Sequence, residues 1–88
     1  MAWTVEYADT ARKQLRKLDK AVAVRVLNFI EKRVARSGDP RSLGKAVSGP
    51  LGDRWRYRIG DYRVICEIQD GVLIVLVLQI GNRRDVYR

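Results

Sequence analysis

From residue 54 to residue 68 the chain alternates. Trp55, Tyr57 and Ile59 interleave with Arg54, Arg56 and Arg58; beyond Gly60 and Asp61, Tyr62, Val64, Cys66 and Ile68 interleave with Arg63, Ile65 and Glu67. A period of two belongs to a half-buried strand, and Gly-Asp suits a two-residue type II′ turn, so the stretch predicts a β-hairpin. Such a turn leaves no freedom of register. With Ile59 opposite Tyr62, Arg58 faces Arg63, Arg56 faces Ile65 and Arg54 faces Glu67, and these six share one face of the sheet. The other face carries only apolar and aromatic side chains, Cys66 among them, and is suited to receive helices. Cys66 reads there as a buried small hydrophobe rather than a reactive nucleophile.

The remaining segments fit around this hairpin. Trp3, Val5 and Tyr7 alternate with Thr4 and Glu6 as an N-terminal strand. Asp9 or Thr10 caps a helix whose apolar residues are Ala11, Leu15 and Leu18. Asp19 caps a second, with a stripe of Ala23, Val26, Leu27, Ile30 and Val34, until Gly38 and Pro40 stop it. The two form an antiparallel helical hairpin whose basic outer faces read as solvated surface, with RNA docking the lesser alternative. Residues 39–53, rich in Gly, Pro and Ser, read as a connecting loop. Asp70 and Gly71 suggest a second hairpin turn of type I′, and residues 72–80, apolar on both faces, a central strand covered on each side. The expected fold is α+β: an N-terminal strand, the helical hairpin, then a three-stranded antiparallel meander with the helices packed on one face of the sheet. Residues 1–88 are expected to form a single domain.

Composition then removes several chemistries. The chain has no histidine and one cysteine, which excludes His/Cys metal sites, Ser-His-Asp and Cys-His devices and an intrachain disulfide. The longest apolar run, residues 72–78, is far short of the roughly 18 residues needed to span a bilayer. No signal-like stretch opens the chain, so a cytoplasmic location without a membrane partner is expected. The formal net charge is +8. Every lysine precedes residue 54, whereas residues 54–88 carry seven arginines. The guanidinium fork matches two phosphate oxygens at once, so this bias points to nucleic acid.

Like charges directly opposite in a sheet are unfavourable by a fraction of a kcal/mol, and Arg58 against Arg63, with Arg56 beside them, has only Glu67 on that face as an offset. The patch suits an anion; alternatively, the long Arg stems cover Ile65, Leu76 and Leu78 while their heads reach water. The ending from Gly81 adds Arg83, Arg84 and Tyr87. Tyr87 either stacks on an unpaired base beside an Arg-held phosphate or anchors the tail on the core.

The hairpin from Trp55 to Val64, with Arg56, Arg58, Gly60, Asp61, Tyr62 and Arg63 in sequence, followed by Gly81, Asn82, Arg83, Arg84, Asp85, Val86 and Tyr87, resembles the RelE/ParE superfamily of bacterial toxins, and the RelE branch in particular. The likeness extends over the whole chain. It implies an mRNA interferase, an endoribonuclease of a type II toxin-antitoxin system, which enters the ribosomal A site and cuts mRNA there. Its implied partners are a cognate antitoxin, mRNA and the ribosome with its rRNA. The resemblance places Arg56, Arg58 and Arg63 on the scissile phosphate, matches Arg83 to the family's arginine after the last strand, and matches Tyr87 to its base-stacking tyrosine. It implies attack of the ribose 2′-OH on its own 3′-phosphate, yielding a 2′,3′-cyclic phosphate and a 5′-OH, with no metal and no cofactor. Arg is a poor general base. Some relatives carry a Lys on the first hairpin strand or a His where this chain has Asn82, so the base is either a carboxylate, Glu67 being the one on the derived face, or alignment and charge carry most of the work. Two alternatives remain: a non-catalytic ParE-like inhibitor of DNA gyrase, and a degenerate toxin that keeps only antitoxin binding. An antitoxin is expected to cover the arginine face or to distort its C-terminal edge.

Overall fold

A computed structural model describes residues 2–47 and 54–82. Strand β1 (Thr4–Tyr7) leads directly into helix α1 (Asp9–Lys17), and helix α2 (Lys20–Asn28) runs on into a π-helical segment, Phe29–Val34. A short 3-10 turn, Pro40–Leu43, precedes β2 (Lys45–Ala46), and β3 (Arg54–Ile59), β4 (Tyr62–Gln69) and β5 (Ile74–Asn82) complete a sheet of order β1-β5-β4-β3-β2. Among the described residues only the β1–β5 pairing is parallel.

The hairpin register is as the two-residue turn requires: Ile59 pairs with Tyr62, Arg58 with Arg63, Arg56 with Ile65 and Arg54 with Glu67. Gly60 has φ of 58°, and Asp61 stays out of the left-handed region, as a II′ turn demands. Both helices cover the face of Tyr57, Ile59, Val64 and Cys66, where Ala11, Val26, Ile30 and Val34 are fully buried against the sheet. The steps 26, 30 and 34 are four residues each, wider than the 3.6 of an α-helical turn. The π-helical segment supplies the wider turn, sealed by the Ala35 N–H donating to the Ile30 carbonyl at 2.9 Å, and so keeps Val34 under the sheet.

Several expectations are corrected. Neither Asp9 nor Thr10 caps α1: Ala8 holds the cap position, because its N–H still donates to the Val77 carbonyl at 2.8 Å and the chain passes from ladder to helix without a loop. Asp19 does cap α2, accepting from the Ala21 N–H at 3.2 Å. Residues 39–53 are not all loop, since β2 adds a fifth strand that pairs Lys45 with Arg56 and Ala46 with Trp55. Gly44 permits this approach: a Cβ there would collide with the Arg56 carbonyl oxygen and lie 2.9 Å from Cδ1 of both Trp55 and Tyr57. The second hairpin turn is not type I′. Gln69 pairs with Ile74, so four residues span the turn, with 3-10 geometry at Asp70–Val72 and left-handed Leu73 at φ 54°. The Asp70 carboxylate takes both Nη atoms of Arg41 at 2.8 Å, which holds it below the usual carboxylate range.

The last strand begins at Ile74, leaving Val72 63% exposed, and it lies between β1 and β4; the central strand is β4. A bulge opposite Ile65 and Cys66 leaves Leu78 as the extra residue of β5, so Val75, Val77 and Ile80 share the helix side. Ile74, Leu76 and Leu78 are only half-buried, which corrects the expectation of a strand covered on both faces. Beyond the bulge the Ile80 N–H donates to Gln14 Oε1 of α1 at 2.6 Å.

Cys66 is fully buried, and desolvation pushes its thiol well above the ordinary value. The thiolate is the reactive form. Native protein at pH 8 is therefore expected to resist thiol reagents, with labelling that follows global unfolding in urea; rapid labelling of the native state would contradict the burial.

Candidate functional site

The face away from the helices carries Arg54, Arg56, Arg58 and Arg63, as the register demands, and β2 adds Lys45 beside Arg56. These elements bound a cleft of about 390 Å³ lined by Ser42, Leu43, Gly44, Lys45, Arg56, Arg58 and Arg63. Among the described residues four cations and no carboxylate line it. Arg63 is the deepest of them: only 9% exposed, it sits between Arg58 on β3 and Gly81 on β5 in register. Arg58 is exposed and Arg56 half-buried, so the three guanidinium groups lie at graded depth. Arg54 pairs with Glu67 at the far end and does not line the cleft.

The cleft's open rim is built by the 3-10 turn, which is stitched to the hairpin from behind. Tyr57 Oη donates to the Pro40 carbonyl at 2.7 Å, and Trp55 Nε1 to that of Arg41 at 3.0 Å. The Asp39 side chain accepts from the Arg41 N–H at 3.0 Å, and the Arg41 guanidinium lies 5.9 Å from the Trp55 ring centre while it grips Asp70. Burial pushes the Tyr57 hydroxyl far above its ordinary pKa, so this donor stays protonated. One turn thus ties β3 to the β4–β5 connection, and Ser42, Gly44 and Lys45 are held at the cleft's edge.

Among the sequence-derived candidates, the structure brings Arg56, Arg58 and Arg63 together. Arg83 and Tyr87 lie outside the described residues; β5 ends at Asn82, in register with Tyr62 and one residue past the Arg63–Gly81 pair. Glu67 is absent from the cleft and accepts instead from Gln69 Nε2 at 2.7 Å. Nor is it the one carboxylate on that face, because the parallel pairing of β1 with β5 places Glu6 beside Leu76, which itself pairs with Glu67. Sequence reasoning missed Lys45, Ser42 and Gly44. A two-residue strand has no period to detect, and the one local signal was a Gly followed by Lys45 and Ala46.

A cationic cleft on the open face of a sheet whose other face is closed by a helical hairpin is an architecture shared with small toxins of toxin-antitoxin systems. The chain belongs to the RelE/ParE superfamily of type II toxin-antitoxin toxins. The family model described as ParE toxin of the type II toxin-antitoxin system parDE matches residues 5–87. Toxin RelG of Mycobacterium tuberculosis is 32% identical over 88 residues, covering 100% of this chain and 99% of the relative. The crystal structure of the M. tuberculosis toxin-antitoxin complex RelBE2 superposes with a TM-score of 0.86 at 29% identity, over 97% of this chain and 95% of that one. The intact Escherichia coli RelBE complex, at 21% identity, shares the fold with a TM-score of 0.74 over 92% of this chain and 96% of that one. Among the described residues no helix is long and apolar enough to cross a membrane.

Proposed function

We propose that this toxin is a ribosome-dependent mRNA interferase, acting in the cytoplasm on mRNA in the A site and held in check by a cognate antitoxin. The observation that carries this reading is the cleft in which Arg56, Arg58, Arg63 and Lys45 converge, with no carboxylate among its described lining residues. In the reaction, the ribose 2′ oxygen forms a bond to the adjacent phosphorus while the bond to the 5′ oxygen breaks. The 2′ proton leaves and the 5′ oxygen gains one, so the products are a 2′,3′-cyclic phosphate and a 5′-OH. Charge grows on the non-bridging and leaving oxygens, where fixed guanidinium donors stabilise it most. Arg63, the most buried, holds the phosphorus-centred charge, while Arg56 and Arg58 orient the flanking backbone. No described group of the cleft is a carboxylate or a histidine that could serve as base, which is why the reading requires the ribosome to splay and align the mRNA. Antitoxin partnership is supported by the RelBE complexes that the relatives form.

A second reading, a non-catalytic inhibitor of DNA gyrase, is favoured by the ParE description of the matching family model. The two part on one experiment. After brief induction in cells, mapped RNA 5′ ends are expected within codons of translated messages, while purified protein leaves naked RNA largely intact. Gyrase-linked DNA breaks with intact mRNA would select the second reading.

The C-terminal pair separates phosphate chemistry from stacking. Arg83→Ala is expected to lower the cleavage rate more than it weakens ribosome binding. Tyr87→Phe should retain most activity and Tyr87→Ala lose it, stacking being worth about 1–3 kcal/mol per base. Equal inactivity of Phe and Ala variants would assign proton or hydrogen-bond chemistry to the hydroxyl, and full activity of both would make Tyr87 a packing residue.

A further inference from the structure

The reaction moves two protons, and the cleft's arginines account for neither. When the bond between phosphorus and the 5′ oxygen breaks, that oxygen keeps the electron pair and must gain a proton to depart as a hydroxyl. An Arg guanidinium holds its proton throughout and supplies charge and hydrogen bonds, whereas a Lys ammonium holds its proton less tightly and can give it up. Among the described lining residues, Lys45 is the one ammonium in the cleft. Ser42 also carries a proton there, but its Oγ already donates to the Asp39 carbonyl at 2.7 Å.

The fold gives Lys45 a defined place. It is in register with Arg56, and cross-strand partners share a face, so it stands on the arginine side of the sheet. Its strand is held close to β3: Gly44 meets the Arg56 carbonyl before it, and the Val47 N–H donates to the Arg54 carbonyl at 3.1 Å after it. The preceding 3-10 turn is pinned by Tyr57 and Trp55. Across the sheet the cations therefore follow the order Arg63 on β4, Arg56 and Arg58 on β3, and Lys45 on β2. Neighbouring strands lie about 4.8 Å apart, so Lys45 faces Arg63 across the β3 pair. Arg63 is buried at the deep end and Lys45 is exposed at the rim.

We propose that Lys45 is the general acid of the cleft and protonates the 5′ oxygen as its bond to phosphorus breaks. This rests on the interferase reading and adds to it the group that releases the product. With the phosphate drawn onto Arg63, the departing fragment leaves over the rim, where the ammonium stands. The 2′ oxygen bonds to phosphorus and its proton passes to solvent. The electron pair of the broken bond stays on the 5′ oxygen, which takes a proton from Nζ, and the neutral amine regains one from solvent. Lys45 thus differs from its neighbours in role as well as in residue type: Arg in its place would keep the charge and remove the transferable proton.

The test uses ribosomes programmed with a synthetic message whose scissile linkage carries either the ordinary 5′ oxygen or sulfur in its place, in single-turnover reactions. A thiolate is a stable anion near neutral pH and leaves without a proton. On the oxygen message Lys45→Ala and Lys45→Arg are both expected to cut at least about a hundredfold more slowly than wild type, within the usual range for a lost general acid. On the sulfur message both should come within about threefold of wild type. Arg63→Ala should stay slow on both messages, because charge grows on the non-bridging oxygens whichever atom leaves. Lys45→Arg should bind ribosomes and unfold thermally as wild type does, its side chain being exposed. Rapid cutting of the oxygen message by Lys45→Arg would reduce the residue to a fixed charge and overturn the proposal, as would an equal loss on both messages. Rescue by sulfur of Tyr87→Phe, with the Lys45 variants left slow, would overturn it in favour of Tyr87. A wild type that cuts neither message would sink the interferase reading and this assignment together; a wild type that cuts, with Lys45 variants as fast, sinks the assignment alone.

Discussion

Replacing Arg63 by Ala is expected to lower cleavage of translated mRNA by on the order of 10²–10³-fold, the usual cost of removing one preorganised donor from a developing oxyanion. Arg63 is the candidate with the largest effect because it is the most deeply buried of the cleft's described cations, flanked by Arg58 and Gly81 in register. A guanidinium already desolvated by its own protein loses little more water when phosphate arrives, so its field acts at low local dielectric. Arg63→Lys keeps the charge but not the two-pronged fork, and should fall between wild type and Ala. Thermal unfolding and antitoxin affinity of both variants separate a lost donor from a lost fold. Wild-type cleavage by a well-folded Arg63→Ala would remove this residue from the reaction.

The second large effect falls on stability and on the site together. Gly44→Ala drives a methyl into the Arg56 carbonyl and against the Trp55 and Tyr57 rings, so β2 must part from β3. Overpacking of this sort costs about 1–3 kcal/mol. At this chain length each kcal/mol corresponds to roughly 4–8 °C in Tm. Lys45 leaves the cleft with the displaced strand, so RNA affinity should fall as well. Gly38→Ala is the control: nothing lies within 4 Å of its added Cβ, and the loss of chain entropy in the unfolded state should make it neutral or stabilising by up to about 1 kcal/mol. Equal Tm values for the two variants would contradict the tight β2–β3 approach.

The arginine face was legible because a two-residue turn and a period of two leave nothing else to determine; Arg56, Arg58 and Arg63 were placed by counting, and the structure sets them where the count does. Asp19 as a cap and Cys66 as core were legible for the same local reason. Errors began where a contact from elsewhere in the chain competes with local chemistry. Asp70 and Gly71 have the composition of a tight turn, yet the loop is longer, its first residue gripped by Arg41 from 29 positions away. Asp9 has the composition of a cap, yet the ladder with Val77 runs on to Ala8, so the cap position falls one residue earlier and Asp9 is already in the helix.

What the sequence determines by itself, then, is the inventory and local geometry of the site: which cations share a face, in what order, and which face is sealed against water. Periodicity and turn chemistry act between near neighbours, and near neighbours are visible in a sequence. Only the tertiary structure decides that Lys45 and Ser42 join the arginines and that Glu67 stays outside the cleft. Each of those outcomes depends on segments distant in sequence meeting at one edge of the sheet. Such meetings are set by packing and by single permissive residues such as Gly44, whose one informative property is the side chain it lacks.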